Sequence, residues 1–166
     1  FGVVALFGLR KKLPAAPQAK PEKRFALVVA ARNEAAVIGH LVDSLYGQDY
    51  PRELYEVIVA PNNCTDDTAG AARRAGAFVY ERFDQVHKGK GYAMDYLFRR
   101  LKEEGKDCYD GYFVFDADNI LDENFISEMN NVFDNGYKVV TSYRNSKNFG
   151  DNWISAGYSI FFLREA

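Results

Sequence analysis

From residue 25 onward, short apolar runs alternate with segments of helical period. "FALVVAA" (25–31), "YEVIVA" (55–60), "AFVYE" (77–81) and "YFVF" (112–115) read as strands, and the unbroken apolar character of 112–115 predicts cover on both faces. "YKVVTSY" (137–143) reads as a further strand. Between these runs, Val37, Ile38, Leu41, Val42 and Leu45 recur at helical spacing, as do Ala93, Leu97 and Leu101 in a helix over 90–104. Thr65 suits the N-cap of a helix running to about Ala75, with Asp66 and Asp67 at the positive end of its dipole. Asp122 and Glu123 open another helix bearing Phe125, Ile126, Met129 and Phe133, and Ala156, Ile160 and Leu163 suggest a closing one. Such alternation requires crossover helices between parallel strands. The expected fold class is α/β, a mostly parallel sheet with helices on both faces.

A parallel sheet delivers every strand-to-helix junction to one edge, where open α/β sheets bind their ligands. The four junctions read "AARNEAA", "APNNCTDDT", "ERFDQVHKGKGYA" and "DADN", each rich in polar groups. In the last, Asp116 and Asp118 lie two residues apart at the end of an expected inner strand. Crowded carboxylates repel unless a cation joins them, and hard divalent ions take such oxygen ligands. Taken alone, the pair reads equally well as a capped turn with two solvated acids. "KGKGYAMDYLF" adds Lys88, Gly89, Lys90 and Gly91 at a helix start, whose free N–H groups and cations suit a phosphate or diphosphate. It is no P-loop, because GxxxxGK[ST] is absent. Together the junctions describe a site for a nucleoside diphosphate with a divalent ion.

The chain has 166 residues, which suits one domain, since domains commonly run ~100–150 residues. Hydrophobic residues make up 48% of it, enough for a sizeable core. A net charge of −2 gives no case for a nucleic-acid partner. Cys64 and Cys108 form neither a CxxC pair nor a disulfide framework, which fits a reducing compartment. Residues 1–9, "FGVVALFGL", are apolar but shorter than the ~20 residues of a spanning helix, and read as the end of one. Arg10, Lys11 and Lys12 open a basic, proline-containing linker over 10–24, and such flanks mark the cytoplasmic side of a cell membrane. The expected organisation is thus 1–9, 10–24 and a ligand-binding part over 25–166.

Over about residues 25–164 the chain resembles the family-2 glycosyltransferases, which have the GT-A fold. "VVAARNE", "VIVAPNNCTDDT", "KGKGYAMDYLF" and "FDADN" are similar to the family's motifs in the family's order, the last to its Asp-x-Asp motif. Single motifs of this kind are weak, whereas four in order are strong. The basic stretch before the domain and "SKNFGDNWISA" after it look most like membrane-associated bacterial members related to polysaccharide synthases. The resemblance implies a nucleotide-diphospho-sugar donor, with a UDP-sugar expected, and a glycan or lipid acceptor. It also implies inversion at the sugar carbon and a Mg or Mn ion. Asn33 and Glu34 would lie against the nucleoside with Arg32 beside them, and Lys90, with Gly91, would meet the diphosphate or nearby base. Asp116 would face the ribose or metal, and Asp118 would bind the ion. Where the family usually offers an Asp to the base, this chain has Pro61, Asn62 and Asn63, of which Asn62 can donate and accept hydrogen bonds.

No recognisable counterpart of the family's acceptor-side base occurs before Ala166, and the Gln-x-x-Arg-Trp element of the synthases is also missing. The chain therefore reads as a donor-binding part, incomplete at its C-terminal side, with Asp151 and Glu165 outside any recognisable base motif. Three other readings compete, one of them a sugar-nucleotide pyrophosphorylase, whose Gly-rich first loop is missing from "AARNEAA". "FVFDADNIL" resembles the Asp-x-Asp strand of haloacid-dehalogenase-like phosphatases, but three strands precede it and Ile120 stands where a Thr is usual. A non-catalytic nucleotide-binding module is the third. His87 and His40 read as solvated or structural, and Cys64 as a packing residue.

Overall fold

The computed structural model describes residues 18–142. Contacts divide the chain into Phe1–Asp134 and Asn135–Ala166, and every helix and strand described here belongs to the first unit. Four parallel strands form one sheet in the order β3-β2-β1-β4, with β1 Phe25–Ala31, β2 Tyr55–Pro61, β3 Phe78–Val79 and β4 Gly111–Asp116. The crossovers carry helices α1 Ile38–Tyr46, α2 Thr68–Arg74 and α3 Lys90–Glu103, and α4 Phe125–Asp134 follows β4. The register is simple: Phe25 lies beside both Tyr55 and Gly111, and Ala30 beside both Ala60 and Asp116. Gly111 opens β4 because a Cβ there would come within 3.0 Å of the Phe25 ring.

Strand alternation splits the core into two layers. On one face, Phe25, Leu27, Val29, Val57, Val59, Phe113 and Phe115 pack with Ile38, Leu41, Leu45, Ala72 and Ile126 from α1, α2 and α4. On the other, Ala26, Val28, Ile58 and Ala60 meet Leu97 and Leu101 of α3. Small residues on β1 and β2 let this helix approach closely. Full burial of each leucine contributes ~1.5–3 kcal/mol, and both are essentially inaccessible. Helices thus lie on both faces, as the alternation requires.

Several boundaries and one strand differ from the sequence expectation. The third strand shrinks from 77–81 to two paired residues, Phe78 is half exposed, and only an isolated bridge between Asn62 and Arg82 continues the pairing. α2 starts at Thr68, not after a Thr65 cap, because Asp66 turns outward to accept the Thr68 and Ala35 N–H groups. α4 begins at Phe125, since Asp122 spends its carbonyl and carboxylate on a turn closed by Phe125 and Asn124. β4 is not an inner strand among the described residues, nor covered on both faces. It lies at the end of the sheet, where Val114 is 45% exposed because α3 covers the neighbouring strands instead. Residues 137–142 form no strand; Val139 is 87% exposed, and no described strand pairs with the run. The expected closing helix and the 1–9 segment lie outside the described residues.

The part of the expected linker that is described, 18–24, is tied to α4. Ala19 N–H donates to Asn131 Oδ1 at 2.7 Å, Asn130 Nδ2 to the Lys20 carbonyl at 3.0 Å, and Lys23 pairs with Asp134 at 2.7 Å. No helix among the described residues is long and apolar enough to cross a membrane.

Candidate active site

β1, β2 and β4 end level with one another, so the residues that follow them share one edge of the sheet. At that edge a cavity of about 380 Å³ is lined by Arg32 and Glu34 after β1, Asn62 after β2, Gly89, Lys90 and Ala93 of α3, and Asp116, Ala117 and Asp118. Six side chains singled out from sequence are brought together here: Arg32, Glu34, Asn62, Lys90, Asp116 and Asp118. Asn33 and Gly91 are not among the lining residues, whereas Gly89 is.

Each lining residue is positioned by a local cause. Asp116 is the exposed last residue of β4, and Asp118 is exposed in the turn that follows the buried Ala117. Asn119 closes the turn beneath them, accepting the Asp116 N–H at 3.1 Å and donating its own N–H to the Asp116 carbonyl. Gly89 stands before α3 with φ 117°, a conformation costly for any residue with a Cβ. No side chain caps α3, so its first N–H groups face the cavity's edge unsatisfied by the helix itself. Lys90 Nζ lies 2.6 Å from Asp116 Oδ1, one cation set against one of two acids.

After β1, Asn33 adopts φ 56°, and its side-chain oxygen accepts the Thr65 N–H at 2.8 Å. Glu34 N–H donates to the fully buried Thr68 hydroxyl at 2.9 Å, and that hydroxyl donates in turn to Asp66. This hydrogen bond is the main cause that lowers the Asp66 pKa. Asn33 thus joins the first and second junctions instead of facing the cavity. Cys64 accepts the Asn33 N–H at 3.4 Å, a packing role as expected.

A second network had no clear signal in the sequence. Arg82 donates through Nη1 to Asn62 Oδ1 (3.0 Å) and the His87 carbonyl (2.8 Å), and through Nη2 to Asp84 (2.6 Å). Asn63, at φ 53°, exchanges both amide groups with the Asp84 backbone. The Asp84 pKa falls to about 2 because the His87 and Val86 N–H groups hold its anion, with Arg82 adding to the effect. The loop before the α3 cavity edge is therefore pinned to the segment just after β2 by four polar side chains, Asn62, Asn63, Arg82 and Asp84. Only their clustering in "NNC" and "ERFDQVH" hinted at this, since either stretch reads equally well as solvated loop. His87 reaches Asp84 at 3.2 Å and His40 is exposed, as expected for non-catalytic histidines.

A cation and a helix start can hold an anionic group, while two carboxylates can share a divalent ion. No group of three or more His, Cys, Asp or Glu side chains suited to a metal occurs among the described residues. Two carboxylates alone amount to only part of the coordination shell of a hard divalent ion. A larger cavity of about 590 Å³, between residues 18–21 and α4, contains Asp49 and Glu128 but no cation, and does not suit a diphosphate.

Residues 21–166 match the family described as glycosyltransferase like family 2. The 4,4'-diaponeurosporenoate glycosyltransferase of Staphylococcus aureus (strain USA300) is 35% identical over 106 residues, which are 64% of this chain and 24% of that protein. The chain thus spans about a quarter of the curated relative it matches. Among solved structures, a mannosyltransferase from Pyrobaculum calidifontis, PcManGT, in complex with GDP-Man and Mn2+, superposes with a TM-score of 0.61 at 25% identity, covering 78% of this chain and 37% of that one. S. aureus TarS 1–349 gives 0.54 at 17% identity, over 72% of this chain and 39% of that one, a likeness of fold alone. With the match running from the linker to the last residue, and the sheet shared with those structures, the chain belongs to glycosyltransferase family 2 and has the GT-A fold.

Proposed function

We propose that this chain binds a nucleotide-diphospho-sugar, a UDP-sugar in the first instance, together with a divalent cation. In the whole protein it would transfer the sugar, with inversion, to a glycan or lipid acceptor. The observation that carries this reading is the single cavity holding Arg32, Glu34, Asn62, Lys90, Asp116 and Asp118 at the carboxyl edge of the sheet. Binding of GDP-Man and Mn2+ by the Pyrobaculum mannosyltransferase supports the class of ligand. The apolar 1–9 segment followed by Arg10, Lys11 and Lys12 supports a place at the cytoplasmic face of the cell membrane.

In this reading Asp116 and Asp118 hold Mg or Mn, which supplies charge stabilisation for the departing diphosphate. Lys90 turns from Asp116 toward the diphosphate, and the α3 N–H groups offer it further donors. Arg32, Asn62 and Glu34 line the nucleoside end, and the hydrogen bond from Glu34 N–H to Thr68 fixes that loop. The acceptor-side base is assigned to none of the described residues.

The test is Asp118→Asn. A neutral amide replaces an anionic ligand poorly, so Mn should no longer raise the variant's affinity for UDP in calorimetric titrations. Equal Mn-dependent affinities for variant and parent would remove Asp118 from the site. A covalent aspartyl-phosphate at Asp116 would favour phosphatase chemistry instead.

A further inference from the structure

We infer that the loop before α3 enters the headgroup region of an anionic membrane leaflet, with Phe83, Val86 and Tyr92 against the lipid and Lys88 beside its phosphates. This rests on the membrane placement proposed above and identifies the surface that makes the contact. Phe83 is 69% exposed, Val86 82% and Tyr92 49%. One exposed apolar side chain needs no explanation, whereas a group on one short stretch marks an interaction surface. Phe83 and Val86 stand three positions apart, at most ~11 Å of chain. The Tyr92 ring centroid lies 5.2 Å from that of His87, the residue after Val86.

The loop's polar groups select the partner. A backbone can leave water for lipid when its N–H and C=O groups are already satisfied. Here the N–H and C=O groups of Arg82, Asp84 and His87 are all hydrogen-bonded within the protein, and so is the Val86 N–H. Asp84, the only acid from Arg82 to Tyr92, is paired with Arg82 at 2.6 Å. Lys88 and Lys90 then leave the stretch positive in a chain whose net charge is −2. Lys88 is exposed and does not line the cavity. A long cationic side chain beside apolar ones suits anionic headgroups, since its stem lies among apolar groups while its ammonium meets phosphate. A second copy of the same loop would instead bring like charges together. The loop leads directly into Gly89 and Lys90 of the cavity, so the contact sets the cavity beside the lipid surface.

The experiment puts a reporter on the loop by Phe83→Trp in the whole protein. Emission is read in phosphatidylcholine vesicles with and without phosphatidylglycerol, after subtracting the parent's own tryptophan emission, Trp153 included. With phosphatidylglycerol present, the added tryptophan should emit to the blue and be quenched by lipids brominated on their acyl chains, but not by iodide in the water. Lys88→Ala in the same background should lower the ratio of lipid-quenched to unquenched emission about fivefold, the effect of one cation at an anionic surface. A red emission quenched by iodide would overturn the inference, because the loop then stays in water. A blue emission quenched by neither agent would also overturn it, because another part of the protein or a second copy then covers the loop. If the protein does not associate with vesicles, the membrane placement fails and the inference with it. A parallel UDP titration bears on the nucleotide-binding reading alone.

Discussion

Asp84 is a partly buried residue held as an anion by its own loop. It accepts the Val86 and His87 N–H groups at 2.8 and 3.0 Å and the Arg82 guanidinium at 2.6 Å, and its pKa drops to about 2. An unfolded aspartate titrates near ~3.9. A depressed folded value stabilises the protein above that pH, and the gain is lost as pH falls toward about 2. Asp84→Asn should therefore melt below the parent at pH 6, with the gap closing between about pH 4 and pH 2; thermal melts across that range check it. Lys90→Ala should weaken UDP more than uridine, by ~1.5–3 kcal/mol for a charge-assisted contact. Calorimetry of both ligands decides; equal losses would place Lys90 at the nucleoside. The acids and Lys90 were legible in sequence because charges beside a strand end or helix start have few structural duties. Arg82 and Asp84 were not, because their duties depend on Asn62 and Asn63, some twenty positions away.

Secondary elements were legible where burial alone decides them. β1 and the buried face of α1 follow directly from their apolar spacing. α2 shows the opposite case. "TDDT" offers four residues able to cap, and only the contacts of Asp66 and Thr68 with Ala35 and Glu34 select the start. The Thr68 hydroxyl, fully buried, is the joint between the first and second junctions. Thr68→Val keeps the shape but leaves the Glu34 N–H without its acceptor, at a cost of ~1–3 kcal/mol. Urea unfolding should register this as a lower midpoint with unchanged slope. Over its described part, 137–142, the expected strand does not form, for a reason that no window of sequence contains, since a strand exists only through the ladder it joins.

At the scale of the chain, the alternation of elements announced the parallel sheet, and the sheet alone gathered the four junctions at one edge. What the alternation did not announce is the docking of residues 18–24. Asn130, 2% exposed, holds the Tyr50 hydroxyl and the Lys20 carbonyl, and the same hydroxyl donates to the Lys23 carbonyl at 2.8 Å. A buried asparagine on α4 reads from sequence as a blemish in an apolar face, not as a fastening. Asn130→Ala should lower stability by ~1–3 kcal/mol and speed tryptic cleavage after Lys23, followed by mass spectrometry. An unchanged cleavage rate would mean that other contacts hold the segment. The Lys23–Asp134 pair, partly exposed, would then be the next to remove, although such pairs contribute only ~0–1 kcal/mol.

The Lys90–Asp116 contact gives the free protein an internal counter-ion. An anion that recruits Lys90 leaves Asp116 bare, and a cation that recruits Asp116 sets Lys90 loose. Each event therefore lowers the cost of the other, and thermodynamic reciprocity requires the two gains to be equal. Nucleotide should tighten Mn by the same factor by which Mn tightens nucleotide. Lys90→Ala should shrink that factor, because the acid it leaves behind no longer has a resident partner to exchange.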